Sequence, residues 1–185
     1  FSSMYWDHFA HLIISMALLG FGVSGTVLAL FQHRLVPYFD RSFFFSALLF
    51  SLTLLTVTSL AGWIGFNPPE VIWNAGQLAR LAAIFILTTL PFFCSGLCIG
   101  LTMRWKTDDV ARIYQADLSG GACGALLIMG LLFFLTPQDG VRFFALVGLA
   151  AALLVGGGVH ERLGRTALAI VVISIIFWPS QWLAP

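Results

Sequence analysis

The stretch RIYQADLSGGACGAL (residues 112–126) sets an aspartate, Asp117, three residues after Tyr114 and just ahead of Gly120, Gly121 and Gly124. A carboxylate in such apolar company can hold a ligand, carry a proton or bind a partner's cation. It can also serve the fold. On a helix, residues four apart stack along one face, so Ala116, Gly120 and Gly124 form one row and Asp117, Gly121 and Ala125 the row beside it. Together they make a flat strip on which a neighbouring backbone can pack. A carboxylate aimed at hydrocarbon costs about 2.5–3.5 kcal/mol, so Asp117 is expected to point toward protein, two turns into its helix. Arg112 is badly phased to pair with it, which leaves Arg104 or another helix as the source of a cation. The corresponding expectation is that Asp117→Ala lowers the yield of folded protein.

Three other stretches carry residues of the right type for chemistry. GFGVSG (20–25) satisfies the dinucleotide pattern G-x-G-x-x-G, but that motif works only where a strand turns into the open N-terminus of a helix. Here it lies inside AHLIISMALLGFGVSGTVLALF, with its backbone committed to a helix. Packing is the expected role: Gly20 with Ser24 and Gly22 with Thr26 form small pairs four apart, and Gly25 extends the small surface. His8 and His11, with Asp7, share YWDHFAH. Two histidines three apart face the same way, yet two ligands do not make a metal site, so no metal is expected. Cys94 and Cys98, in PFFCSGLCIG, are four apart and read as small packing residues. With Cys123 they make three cysteines, an odd number inside apolar runs, which argues against a disulfide framework. No Ser-His-Asp set, paired carboxylates or phosphate loop is evident, so no catalytic residue is assigned.

The elements that position these residues follow from composition. Of 185 residues, 59% are hydrophobic and 9% charged, against roughly 25% charged in soluble domains. That is too little polar surface to coat a soluble core, and lipid must be the solvent for most of the chain. A net charge of +1 gives no case for nucleic acid. A spanning helix needs about 20 largely apolar residues, and six stretches come close: 9–31, 42–64, 77–103, 110–135, 141–159 and 166–182. The expected fold is all-α, a polytopic transmembrane bundle of about six spanning helices forming one domain. Pro91 and Gly96 are expected to bend the third span, and Pro179 interrupts the sixth. The connection 65–74, with Asn67, Glu70 and Trp73, has an amphipathic, aromatic look that suits a membrane surface or a partner subunit.

Orientation follows from the Lys and Arg. Arg34, Arg41, Arg104, Lys106, Arg112, Arg162 and Arg165 flank the first, third and fifth connections, and only Arg80 and Arg142 border the others. By the positive-inside tendency the first set faces the cytoplasm. Both ends then lie outside, with Trp6, Trp178 and Trp182 at headgroup level. Phe1 in place of methionine points to a processed chain or one begun partway into a longer protein, and no signal-peptide pattern precedes the first span.

Two segments, YWDHFAHLIISMALLGFGVSG (5–25) and PFFCSGLCIGLTMRWKTDDVARIYQADLSGGACGALL (91–127), resemble the membrane domain of spermidine synthase-like integral membrane proteins. Tyr114, Asp117, Leu118, Gly120, Gly121 and Gly124 match the family's tyrosine, Asp-Leu and small-residue helix. Ile14, Ser15, Ala17, Leu18, Leu19, Gly20, Gly22 and Gly25 match its ISxALLGxGxxG. The resemblance implies a bacterial inner-membrane, multi-pass domain that in relatives is joined to a soluble aminopropyltransferase-like domain. An S-adenosylmethionine-type ligand would belong to that soluble domain, which has no βαβ counterpart here, and Asp117 is not its catalytic aspartate. It thus implies a fragment or shortened relative that anchors or serves an absent transferase half. From the residues alone, the alternative is a non-catalytic integral subunit that binds neighbouring membrane subunits through its glycine-rich faces. A transporter would call for ionisable residues at a midplane, and none is evident.

Overall fold

The computed structural model describes residues 2–63, 75–134 and 136–155, and every regular element among them is helical. They are α1 (Ser2–Leu35), α2 (Phe39–Trp63), α3 (Ala75–Trp105), α4 (Val110–Leu131) and α5 (Pro137–Val155), with a short 3-10 turn, Thr107–Asp109, ahead of α4. Helices satisfy every backbone N–H and C=O internally, which is the condition for crossing hydrocarbon. The hydroxyls obey the same condition by turning back on their own helix. Ser15 donates to the His11 carbonyl at 2.8 Å, Ser51 to Ala47 at 3.1 Å, Thr56 to Leu52 at 2.7 Å and Thr102 to Cys98 at 2.8 Å. Such back-bonding pairs these hydroxyls within their own helices.

Three of the six expected spans are supported among the described residues. Three of the described helices are long and apolar enough to cross a membrane: His11–Leu35, Phe39–Val57 and Ala79–Trp105. These sit within a few residues of the first three expected stretches. The fourth and fifth stretches are helical but fall short of that standard. α4 opens with Arg112, Gln115 and Asp117 before its apolar half begins, and α5 carries Asp139 and Arg142 at its start. Those two close an ion pair at 3.0 Å, and Asp139 Oδ2 accepts from the Thr136 hydroxyl at 2.7 Å, which makes the start of α5 a polar cap. The sixth stretch, the fifth connection and the amphipathic connection at 65–74 lie outside the described residues. α3 runs as one helix through the buried Pro91.

The main helix contacts join α1 to α3, α3 to α2, and α2 to α5. Along α1 the buried positions are Met16, Gly20, Ser24 and Leu28, one every four residues. Gly20 lies against Phe92, Ser24 against Gly96 and Leu28 against Gly100. Partners advance in step on both helices, so α1 and α3 run parallel. The α2–α5 contact runs the other way. Phe50 and Ser51 meet Gly148, while Phe44 and Ala47 cluster with Ala152. Leu28, Phe39 and Leu101 form a further cluster where α1, α2 and α3 converge.

At that end Phe39 stacks on Trp105, ring centroids 4.3 Å apart and planes 7° from parallel. Ser42 holds the chain reversal before α2 by donating to the Leu35 carbonyl at 3.0 Å. This occupies one of the carbonyls that the end of α1 leaves open. Phe39 is buried whereas Trp105 is half exposed, so Trp105→Leu is expected to lose about 0.5–1.5 kcal/mol of ring–ring interaction. Thermal unfolding of the detergent-solubilised variant, followed by circular dichroism, checks it.

Candidate functional site

The residues singled out by type do not converge on one place. His8 and His11 lie near the start of α1, whereas Tyr114 and Asp117 follow the end of α3. Because α1 and α3 are parallel, those are opposite ends of the bundle, separated by about 33 Å over the 22 residues from His11 to His33 at 1.5 Å each. His11 is exposed. Among the described residues, no three His, Cys, Asp or Glu side chains are grouped to hold a metal ion.

The GFGVSG stretch is continuous helix within α1, so its amides are bonded within the helix and no phosphate can approach them. Its two sides differ. Gly20 and Ser24 are buried against α3, while Gly22 and Gly25 have open space where a Cβ would stand. Gly22 sits about 200° around the helix from Gly20 at 3.6 residues per turn, on the side turned away from α3. Its four-apart partner, Thr26, spends its hydroxyl on the Gly22 carbonyl at 3.0 Å. The close approach of α1 and α3 also rests on Gly96 and Gly100, whose places in GLCIG satisfy the small-xxx-small pattern. That signal is legible in the sequence, although the pair Cys94 and Cys98 overlaps it. Cys94 is buried and Cys98 half-buried, and both are free; Cys98 packs against the cluster of Phe44, Ala47 and Ala152, away from α1.

α4 is different in kind. None of its residues is buried. Its partly buried positions are Ile113, Gly124, Ile128 and Leu131, which at 3.6 residues per turn fall on one side of the helix. Ile128 reaches Gly140 at the start of α5, its Cδ1 3.4 Å from where a Cβ there would stand. Asp117, Gly120 and Gly121 belong to that same side. The glycine row is therefore turned toward the rest of the chain, and yet nothing lies within 4 Å of a Cβ placed on Gly120, Gly121 or Gly124. Asp117 and Tyr114 are exposed, and no ion pair among the described residues engages Asp117. The strip is present, but no neighbouring backbone among the described residues closes on it. Sequence periodicity places residues on a face and cannot say how far away the next helix stands.

Among the described residues, Asp117 thus has no ion-pair partner whose loss would unfold the chain. Asp117→Ala is accordingly expected to leave the melting temperature of the isolated, detergent-solubilised chain unchanged. A clear drop would restore the fold-supporting role that the sequence suggests. No family model, no curated protein and no solved structure matches the chain.

Proposed function

We propose that the chain is a non-catalytic membrane domain that receives a segment of another protein against the glycine side of α4. The observation that carries this reading is the open strip itself. A glycine in a helix interior costs about 1 kcal/mol relative to alanine, and a lipid-facing helix has no use for three of them on one side. Asp117 adds a further cost wherever it meets hydrocarbon. Both costs are offset when a second helix packs on Gly120, Gly121 and Gly124 and brings a donor or cation to Asp117. Small residues let the two backbones approach, and van der Waals contact and interhelical hydrogen bonds are what associate helices in lipid.

One version of this reading makes the partner a soluble aminopropyltransferase-like domain, with its S-adenosylmethionine-type ligand, in a multi-pass protein of the bacterial inner membrane. Its support is the match of residues 5–25 and 91–127 to spermidine synthase-like membrane proteins. The intact mass of the natural protein separates the versions. A mass near 20.2 kDa leaves no room for a transferase half, and the partner is then another membrane subunit.

The test of the shared claim is purification in mild detergent with a photo-crosslinker at Ala116. Wild type should carry a partner in fixed stoichiometry and crosslink to it. The Gly120→Leu/Gly124→Leu variant should lose that partner while its own helical melting stays as in wild type. Recovery of wild type as a lone monomer that crosslinks only to lipid would overturn the proposal.

A further inference from the structure

We propose that one flank of the α1–α3 seam is a binding site for an anionic glycerophospholipid. Its phosphate is held by Arg104, His33, Gln32 and Thr107, and its acyl chain lies along the seam in an apolar groove.

Two cavities carry the inference. At the end of the seam where α1 and α3 both terminate, a recess of about 290 Å³ is lined by Gln32, His33, Val36, Pro37, Arg104 and Thr107. Further along the same helix pair, a groove of about 260 Å³ is walled by Leu19, Val23, Ile86, Leu90 and Phe93. Its one hydroxyl, on Thr89, is committed to the Phe85 carbonyl at 2.8 Å. One recess is thus polar and cationic, and the other is hydrocarbon in character.

They lie on one flank. Eighteen residues separate Ile86 from Arg104, about five whole turns, so both project from the same side of α3. On α1, Leu19 and His33 are fourteen residues apart, within about 40° of each other around the helix. The depth also fits a lipid. Ten residues lie between the levels of Val23 and His33, about 15 Å of helix, which is half of a hydrocarbon layer roughly 30 Å thick. Eleven residues separate Phe93 from Arg104, about 17 Å, so a phosphate at His33 and Arg104 places the chain end at the near end of the groove, between Val23 and Phe93, at the bilayer centre. No water-soluble anion has a use for that second cavity.

The polar recess is prepared for a phosphate. Arg104 makes no ion pair among the described residues, although Asp108 and Asp109 are close in sequence. Its planar guanidinium suits a phosphodiester. Helix C-termini disfavour anions through their free carbonyls, but several of these are already occupied. The Gln32 carbonyl accepts from the Val36 N–H at 3.0 Å, Leu35 from the Ser42 hydroxyl at 3.0 Å, and Thr102 from the Lys106 N–H at 3.2 Å. Lys106, its ammonium 5.3 Å over the Trp105 ring, adds positive charge beside the recess, and Trp105 suits the headgroup layer.

Native mass spectrometry of the full chain, delipidated and titrated with dioleoyl phosphatidylglycerol or dioleoyl phosphatidylcholine, tests the site. Wild type is expected to retain the anionic lipid at least tenfold better than the zwitterionic one, and Arg104→Gln to reduce it to the zwitterionic level. Val23→Trp, at a position 43% exposed and so safe for folding, should fill the near end of the groove. It should cost long-chain phosphatidylglycerol tenfold while leaving the short-chain dihexanoyl form unaffected. All ratios are read on the folded-monomer charge states, which excludes misfolded variants. Equal retention of the two headgroups in wild type, or no change in Arg104→Gln, would overturn the proposal. So would displacement of the lipid by an equal concentration of inorganic phosphate, which would mean an anion site without an acyl component.

Discussion

Leucine at Gly20 is expected to separate α1 from α3, whereas leucine at Gly22, two residues on, should leave the fold intact or strengthen it. A Cβ at Gly20 would stand 2.7 Å from the Phe92 Cβ, 2.9 Å from the Phe93 backbone nitrogen and 3.0 Å from the Thr89 carbonyl oxygen. Two of those three atoms are backbone and cannot rotate aside, so the helix itself must move. Overpacking a tight interface costs about 1–3 kcal/mol, and a whole leucine at a backbone-to-backbone contact belongs at or beyond the upper end. It would also pull Ser24 away from Gly96 and Leu28 away from Gly100. At Gly22 nothing lies within 4 Å, and the only local change is removal of glycine's helix penalty, up to about 1 kcal/mol in favour of the variant. Thermal unfolding of both variants in one detergent gives the contrast, with Gly20→Leu well below wild type and Gly22→Leu at or above it. Equal shifts at the two positions would show that the α1–α3 seam is not packed as described.

The second large effect is expected at Gly148, where α5 meets α2. A Cβ there would lie 2.6 Å from Phe50 Cδ1 and 2.8 Å from the Ser51 hydroxyl. Ser51 is fully buried and bonded to the Ala47 carbonyl, so it has nowhere to turn. Gly148→Leu should therefore loosen α5, which has no other extensive contact among the described helices. In a background lacking the native cysteines, cysteines at positions 47 and 152 report the contact, since both alanines share a cluster with Phe44. Disulfide formation is expected to slow about tenfold in Gly148→Leu, corresponding to roughly 1.4 kcal/mol. An unchanged rate would mean that α5 is held by something other than the Gly148 contact.

These two predictions concern glycines that look alike in sequence, and they show where sequence reasoning stopped. Gly20, Gly22 and Gly25 all answer to the same motif, yet among the described residues only Gly20 meets a neighbouring helix. Gly96 is expected from sequence as a possible bend, and α3 uses it as the flat place where Ser24 and Phe21 fit. Gly120, Gly121 and Gly124 look the most like a packing surface and are the least packed. A helical period states which residues share a face; whether that face is covered depends on where the chain reversals place the next helix. α3 packs against both α1 and α2, whereas α4 makes few contacts with the other described helices.

Hydropathy and charge decided the solvent. A chain 59% hydrophobic and 9% charged must make helices and present them to lipid, because water cannot cover it and hydrocarbon tolerates no open backbone group. The same arithmetic located the first three spans and the polar landmarks, since transfer free energy is a sum over residues and can be read without coordinates. Tertiary structure alone decided which glycines carry contacts and that α1 and α3 run parallel with a flank reaching from Arg104 to Ile86. It also decided that Asp117 is exposed, with no ion-pair partner among the described residues. Contact depends on distances between helices, and those are set jointly by every loop and side chain along the chain.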